Sequence, residues 1–329
     1  MDSDSPKDAG PDLHFMEPSN HLLALPDALR KRVAAEGYAF FRNVLPAEPV
    51  LDLRRQMLRI CAEAGWIAGG ARLDDAVPVR APVNEGEAAY FEVYDRIQQL
   101  EAFHSLAHHP DVTRVMKTLL GPQGFPHPLG IARLMFPGNN ECATPPHQDY
   151  PNNQGTPDLY ACWIPLGDCP VDLGGLAILE RSHERGVLPL TFSLGPGGRQ
   201  TVLDEELASH RWLTADFRAG DALVFHSLTV HRSLNNQYRD RMRLSCDFRF
   251  QREGEELVAR SLLPHFARLD WDQIYASWTG PTPRRYWEAL DYRVVPWDNT
   301  YHALPEEHLG EAVRLKRAYD TRRLAPAGT

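Results

Sequence analysis

The chain has 329 residues and a formal net charge of -9, with 43% hydrophobic and 24% charged residues. This is the composition of a folded globular protein, and no run approaches the roughly 18 apolar residues that a membrane-spanning helix needs. The acidic balance argues against nucleic acid as the main partner, because neutralising phosphates takes clustered lysine and arginine.

Taken in chain order, residues 1–20 are acidic and polar and lack the basic start and apolar middle of a signal peptide. They are expected to be a disordered lead-in. Residues 21–329 are expected to form one domain with three zones. The first zone, 21–128, reads as mostly helical. Val50, Leu53, Met57 and Cys61 recur at helical spacing, and so do Val112, Val115, Met116, Leu119 and Leu120 before the stop at Gly121-Pro122. Between these helices, residues 38–45 are apolar and aromatic enough for a strand.

In the second zone, 129–250, short β-like runs alternate with turn residues. The runs are 129–136, 159–166, 176–179, 222–225 and 242–250, separated by Pro137-Gly138-Asn139, Gly174-Gly175 and Gly195-Pro196-Gly197. Such punctuation predicts a mainly β core, either barrel or sandwich. The third zone, 251–329, returns to a helical pattern. Its Trp271, Trp278, Tyr286 and Trp287 make an apolar surface expected to pack on the β core. The five cysteines, Cys61, Cys142, Cys162, Cys169 and Cys246, form no Cys-x-x-Cys pair. That fits a reducing cytoplasm better than a disulfide scaffold or a cysteine zinc site.

The chemistry is concentrated in Pro145-Pro146-His147-Gln148-Asp149. Residues two apart on a strand share a face, so His147 and Asp149 are placed to ligate one ion. An imidazole with a carboxylate suits iron(II), manganese or zinc. A third ligand is available in the run from Gly220 to Ser233, which holds His226 and His231. Two histidines and one carboxylate leave three positions open, the arrangement with which non-haem iron enzymes bind a 2-oxo acid and dioxygen.

The chain carries a second His-x-Asp, His109-Pro110-Asp111. There the proline suits a first helical turn and the aspartate favours the positive helix end, so that copy is assigned to helix capping. Residues 241–250 alternate strictly. Met242, Leu244, Cys246, Phe248 and Phe250 are apolar, while Arg241, Arg243, Ser245, Asp247 and Arg249 are polar. The polar face lies either in water or inside a wet pocket, where an arginine grips a carboxylate with parallel hydrogen bonds.

Four stretches, in order, resemble the phytanoyl-CoA dioxygenase family of iron(II)- and 2-oxoglutarate-dependent oxygenases. They are His147-Gln148-Asp149; Trp163 to Asp168; Gly174-Gly175 through Ser182-His183; and Gly220-Asp221 through His231, followed by Asn236 and Arg241 to Ser245. The resemblance implies a double-stranded β-helix, the cupin-like jelly roll, flanked by N- and C-terminal α-helices. It implies that His147, Asp149 and His231 hold iron(II), with His226 a structural neighbour. Trp163 would border the pocket of the cosubstrate, 2-oxoglutarate. Arg243 or Arg241 would hold its distal carboxylate, and Arg243 is favoured because Arg243-Leu244-Ser245 places a serine hydroxyl beside the guanidinium. Glu180-Arg181 stands where the family has small turn residues.

Related halogenases lack the carboxylate, so Asp149 implies hydroxylation or another oxidation of a C–H bond, consuming dioxygen and releasing succinate and CO2. A small-molecule substrate is expected, a secondary metabolite or a lipid or amino-acid derivative, with no nucleic acid or membrane as partner. Residues 71–89 and 185–212 and the C-terminal segment are the places for specificity. Arg72, Arg80, Tyr90 and Tyr94 are assigned to surface packing. The competing readings are a zinc-dependent hydrolase on the same three residues and a jelly-roll protein that binds without turnover.

Overall fold

The computed structural model describes residues 13–304 and 306–324. Thirteen strands run in chain order among these residues: β1 (Leu13–Phe15), β2 (Tyr38–Phe41), β3 (Gly124–Met135), β4 (Tyr160–Pro165), β5 (Leu176–Leu179), β6 (Leu190–Phe192), β7 (Arg199–Thr201), β8 (Trp212–Thr214), β9 (Ala222–His226), β10 (His231–Ser233), β11 (Arg243–Arg252), β12 (Glu256–Val258) and β13 (Arg293–Val295). The helices are α1 (Pro26–Glu36), α2 (Ala47–Glu63), α3 (Ala88–Gln98), α4 (Glu101–Ala107), α5 (Pro110–Leu120), α6 (Tyr150–Asn153), α7 (Glu205–Ala208), α8 (Trp271–Tyr275) and α9 (Glu306–Leu324).

Two sheets carry the fold, one in the order β1-β8-β5-β10 and one in the order β2-β9-β4-β11-β3. They pack face to face through Phe40, Trp163, Leu223 and Phe225 from the larger sheet and Ile178 and Leu213 from the smaller. The sheets do not close, so the expected barrel-or-sandwich core is an open two-sheet jelly roll. The other face of the larger sheet lies under the helical layer. Cys162, Ile164, Leu244, Cys246, Phe248 and Phe250 meet Leu53, Met57, Val93, Phe103, Val115 and Met116 there. Each such side chain contributes roughly 1.5–3 kcal/mol by leaving water. The periodicity of α2 and α5 thus exists to cover one sheet face.

Alternation on β11 divides its side chains between these two layers. Its apolar residues join the helical side, and Arg243, Ser245, Asp247, Arg249 and Gln251 point into the sandwich, all buried. The polar face of this strand is therefore not a solvent face.

Two expectations about the ends of the chain need correction. The part of the presumed lead-in that the structure describes, residues 13–20, is folded: β1 pairs in parallel with β8, Leu13 opposite Trp212. Residues 1–12 lie outside the described residues. The C-terminal zone is helical only in α8 and α9. Apart from α8, between residues 251 and 304 the chain finishes β11, pairs β12 with β13 in parallel and otherwise runs through 3-10 turns and loops. Pro264, Pro281, Pro283 and Pro296 deny this stretch a continuous helix. Its aromatic residues nonetheless dock as expected. Trp271, Tyr275, Trp278 and Trp287 form one cluster, and the Trp278 indole donates to the Gln99 carbonyl at 3.0 Å. None of the helices among the described residues is long and apolar enough to cross a membrane.

Candidate active site

His231 opens β10, which pairs antiparallel with β5. The segment around His147 adds beside it, with reciprocal backbone hydrogen bonds between His147 and His231, both 2.9 Å. The two imidazoles come to lie 4.1 Å apart, centroid to centroid. Asp149 does not sit on a strand, contrary to the extended geometry expected for His-x-Asp. Its backbone is helical (φ -73, ψ -31) and it caps α6. The carboxylate reaches the histidines because the chain turns there. Gln148 secures that turn by donating to the Gly186 and Leu228 carbonyls, at 2.8 and 2.7 Å, and accepting from the Leu188 amide at 2.8 Å.

One ligand atom from each of His147, Asp149 and His231 lies within 4.8 Å of the other two. Both imidazole Nε2 atoms stand 3.9 Å from Asp149 Oδ1. Each Nδ1 is engaged by a backbone carbonyl, His147 with Pro145 at 2.8 Å and His231 with Thr229 at 3.0 Å. That arrangement places the proton on Nδ1 and leaves the Nε2 lone pair facing the carboxylate, the tautomer a metal ligand needs.

Burial lowers the pKa of both histidines, His231 to about 3, so both rings are neutral at pH 7. Burial pushes the Asp149 carboxyl the other way, but Arg249 and then His231 and His147 outweigh it and hold it at about 2. Asp149 Oδ2 is buried with no hydrogen-bond partner among the described residues. Two neutral imidazoles beside a carboxylate that has Oδ1 turned to both and Oδ2 without a partner are a donor set that fits a divalent cation. His226, the other histidine of the run, stands apart. It accepts from the Leu228 amide and packs edge-on to Tyr160.

Arg243 is buried at the start of β11. Its Nε donates to the Gly174 carbonyl (2.9 Å), Nη1 to Ser245 Oγ (2.7 Å) and Nη2 to Ser233 Oγ (2.9 Å). A guanidinium has five N–H groups, so two remain for a ligand. Gly174 adopts φ +86, and a Cβ there would stand 2.8 Å from the Leu234 carbonyl, so only glycine brings this carbonyl to the arginine. Arg243 lines a cavity of about 50 Å3 with Tyr90, Arg133, Thr144 and Ser233. Arg241 precedes the strand, is exposed and lies over the Tyr238 ring. Trp163 is packed edge-on to Phe217 in the apolar layer, with its ring 6.0 Å from the Arg243 guanidinium carbon.

A second chamber, about 160 Å3, opens over His147 and Asp149. Leu129, Ile131 and Phe266 line it beside Arg133, Arg249 and Arg260. Tyr94, assigned above to surface packing, is buried and hydrogen-bonded to His265 of this chamber (2.6 Å). Tyr90, assigned likewise, is buried and lines the first cavity. Sequence reasoning passed over Arg249, whose Nη2 donates to Asp149 Oδ1 at 2.7 Å. The signal was present: Arg249 lies six residues after Arg243 on the same face of an alternating strand.

The model of the phytanoyl-CoA dioxygenase family matches residues 34–243 of this chain. A 1-deoxypentalenic acid 11-beta-hydroxylase of Streptomyces arenae is 29% identical over 250 residues, covering 72% of this chain and 85% of the relative. The enzyme of the same description from Streptomyces exfoliatus is 27% identical over 257 residues, again with 72% and 85% covered. Among solved structures, the epimerase SnoN in complex with Fe3+, alpha-ketoglutarate and nogalamycin RO superposes with a TM-score of 0.54 at 19% identity. That superposition covers 83% of this chain and 96% of the other, and it bears on the fold alone.

Proposed function

The chain belongs to the phytanoyl-CoA dioxygenase family of iron(II)- and 2-oxoglutarate-dependent oxygenases, and on that premise we propose that His147, Asp149 and His231 hold its iron and that Arg243 anchors its cosubstrate. The observation that carries the reading is the meeting of three ligand atoms from distant parts of the chain around one point. When bound, iron with 2-oxoglutarate and dioxygen supplies the oxidant for a C–H bond, with succinate and CO2 released.

The protein's part is binding, orientation and exclusion of water. The Pro145 and Thr229 carbonyls fix the imidazole tautomers. Gln148 holds the turn that delivers Asp149, and Arg249 keeps that carboxylate ionised. Arg243, braced by Ser245 and Ser233, offers its free N–H groups to the distal carboxylate of the cosubstrate. The cavities of Arg243 and of the metal ligands share Glu85, Arg133, Thr144 and Pro196 in their walls, so a dicarboxylate held by Arg243 would have the metal ligands on the far side of a shared wall. The organic substrate takes the second chamber. The hydroxylation of 1-deoxypentalenic acid named for the Streptomyces relatives supports a secondary metabolite there, in a hydroxylase-type reaction.

Anaerobic titration of apo-protein with iron(II) and 2-oxoglutarate tests this. The expected result is a weak visible charge-transfer band that vanishes in His147→Ala and bleaches on admitting oxygen, with succinate formed. No band at any iron loading, with zinc held tightly instead, would favour the zinc-hydrolase alternative.

A further inference from the structure

Arg249 is the least satisfied cation near the site. Its side chain is 4% exposed. Nη2 is bound to Asp149, while Nε and Nη1 are buried without a hydrogen-bond partner among the described residues. Arg133, the other buried arginine of the chamber, is balanced twice, by Glu85 at 3.3 Å and Asp247 at 3.5 Å. Arg260 lies exposed at the rim, stacked 4.6 Å from the Trp297 ring centroid. Only Asp149 answers the charge of Arg249, and Asp149 is spoken for once a divalent ion is bound.

The charges can be followed group by group. Without metal, Asp149 and Arg249 cancel. A divalent cation adds two positive charges and the keto-acid end of 2-oxoglutarate adds one negative charge, while the distal carboxylate cancels Arg243. Counted together with Arg133, Glu85 and Asp247, which carry one net negative charge, the loaded site is near neutral overall, but Arg249 itself keeps two buried N–H groups, on Nε and Nη1, without a partner among the described residues. A buried cation with unused N–H donors is costly unless an anion answers it.

We propose that Arg249 is a specificity-determining residue that receives a carboxylate of the organic substrate, so that this enzyme selects small organic acids over their neutral amides or esters. The inference rests on the oxygenase reading above and adds the chemical class of the substrate. The cosubstrate is the less suited occupant. Its anchor, Arg243, lines the other cavity, whereas Arg249 lines the chamber with Leu129, Ile131 and Phe266. Those apolar walls suit a hydrocarbon body behind a single charged group.

The test uses the full chain loaded with manganese(II), which does not turn over, and saturating 2-oxoglutarate. Proton relaxation of two fragments, cyclohexanecarboxylate and cyclohexanecarboxamide, then reports how closely each approaches the ion. The acid is expected to bind about tenfold more tightly than the amide, the usual advantage of a charge-assisted pair in a buried site. Arg249→Gln, read at manganese and 2-oxoglutarate concentrations that saturate the variant, is expected to bring the acid down to the level of the amide.

Equal relaxation by acid and amide in the wild-type protein overturns the proposal without need of any variant. So does an Arg249→Gln protein that, saturated with manganese and 2-oxoglutarate, keeps the preference for the acid over the amide. If manganese or 2-oxoglutarate fails to bind the wild-type protein, the oxygenase reading itself falls and this inference falls with it. That outcome is recognisable before either fragment is added.

Discussion

The chain contains His-x-Asp twice, and the two copies have nothing in common beyond the letters. At His109-Pro110-Asp111 the backbone enters α5. The His109 ring accepts from the Asp111 amide at 3.3 Å, and the Asp111 carboxylate pairs with Arg114 at 3.1 Å, all within one helical turn. At His147-Gln148-Asp149 the same spacing is buried, and its partners are His231 and Arg249, about a hundred residues downstream in the case of the arginine. The first copy spends its polar atoms on local backbone. The second has its local needs met by Pro145, so that Nε2 and a carboxylate oxygen are left over for a ligand. A ligand set is made by donors that the fold leaves unused, and the interval between two residues does not report that.

The sharpest way to break the comparison is to remove one acid from each copy. Asp149→Ala is expected to abolish iron retention and lower 2-oxoglutarate-dependent succinate formation on the order of 10^3-fold or more. Asp111→Ala should leave the iron stoichiometry, read by elemental analysis, at the wild-type value. The arginines offer a second contrast. Arg243→Ala is expected to weaken 2-oxoglutarate binding about 10^2-fold, the typical effect of truncating one partner of a buried charge pair. Arg241→Ala, on an exposed side chain, should move it by less than about twofold. Equal losses in calorimetric titration of the two variants would remove Arg243 from its role.

The middle residues sharpen the comparison further. Gln148→Ala strands two carbonyls and an amide that have no other partner, and is expected to cost about 2 kcal/mol in urea unfolding and to lower iron affinity as well. Pro110→Ala should change stability by no more than about 0.5 kcal/mol, since alanine is tolerated at a first helical position. His109→Ala is expected to cost about 0.5–1 kcal/mol for a lost helix cap, with activity at pH 7 unaltered.

Much of the fold was legible because it depends on local pattern. Helical spacing placed α2 and α5, and strict alternation placed β11 with its apolar face beneath them. The run 176–179 is reproduced by β5 at both ends. The ends of the chain were misread for a reason of the same kind. Residues 13–15 are too short a run to read as a strand, and form one because β8 offers an edge for them to pair with. The aromatic C-terminal stretch keeps its contacts but not its helix, because prolines break the backbone pattern that aromatic spacing suggested.

Residue types and order alone determined that an iron-type donor set was available in this chain, that β11 would be two-faced, and that His147, Asp149, a later histidine and an arginine of β11 were the residues to watch. These follow from side-chain chemistry and from periods of 2 and 3.6, which neighbours along the chain suffice to express. The resemblance already favoured His231 over His226, and the Arg-x-Ser pair favoured Arg243 over Arg241; tertiary structure supplied the pairing that brings His231 to His147 and buries Arg243. It also decided that Asp149 arrives by a helical turn held by Gln148, and that Arg249 stands beside the carboxylate with donors to spare. Each of those outcomes depends on which strand pairs with which, and pairing between distant segments is set by the burial of a whole sheet face, which no local interval records.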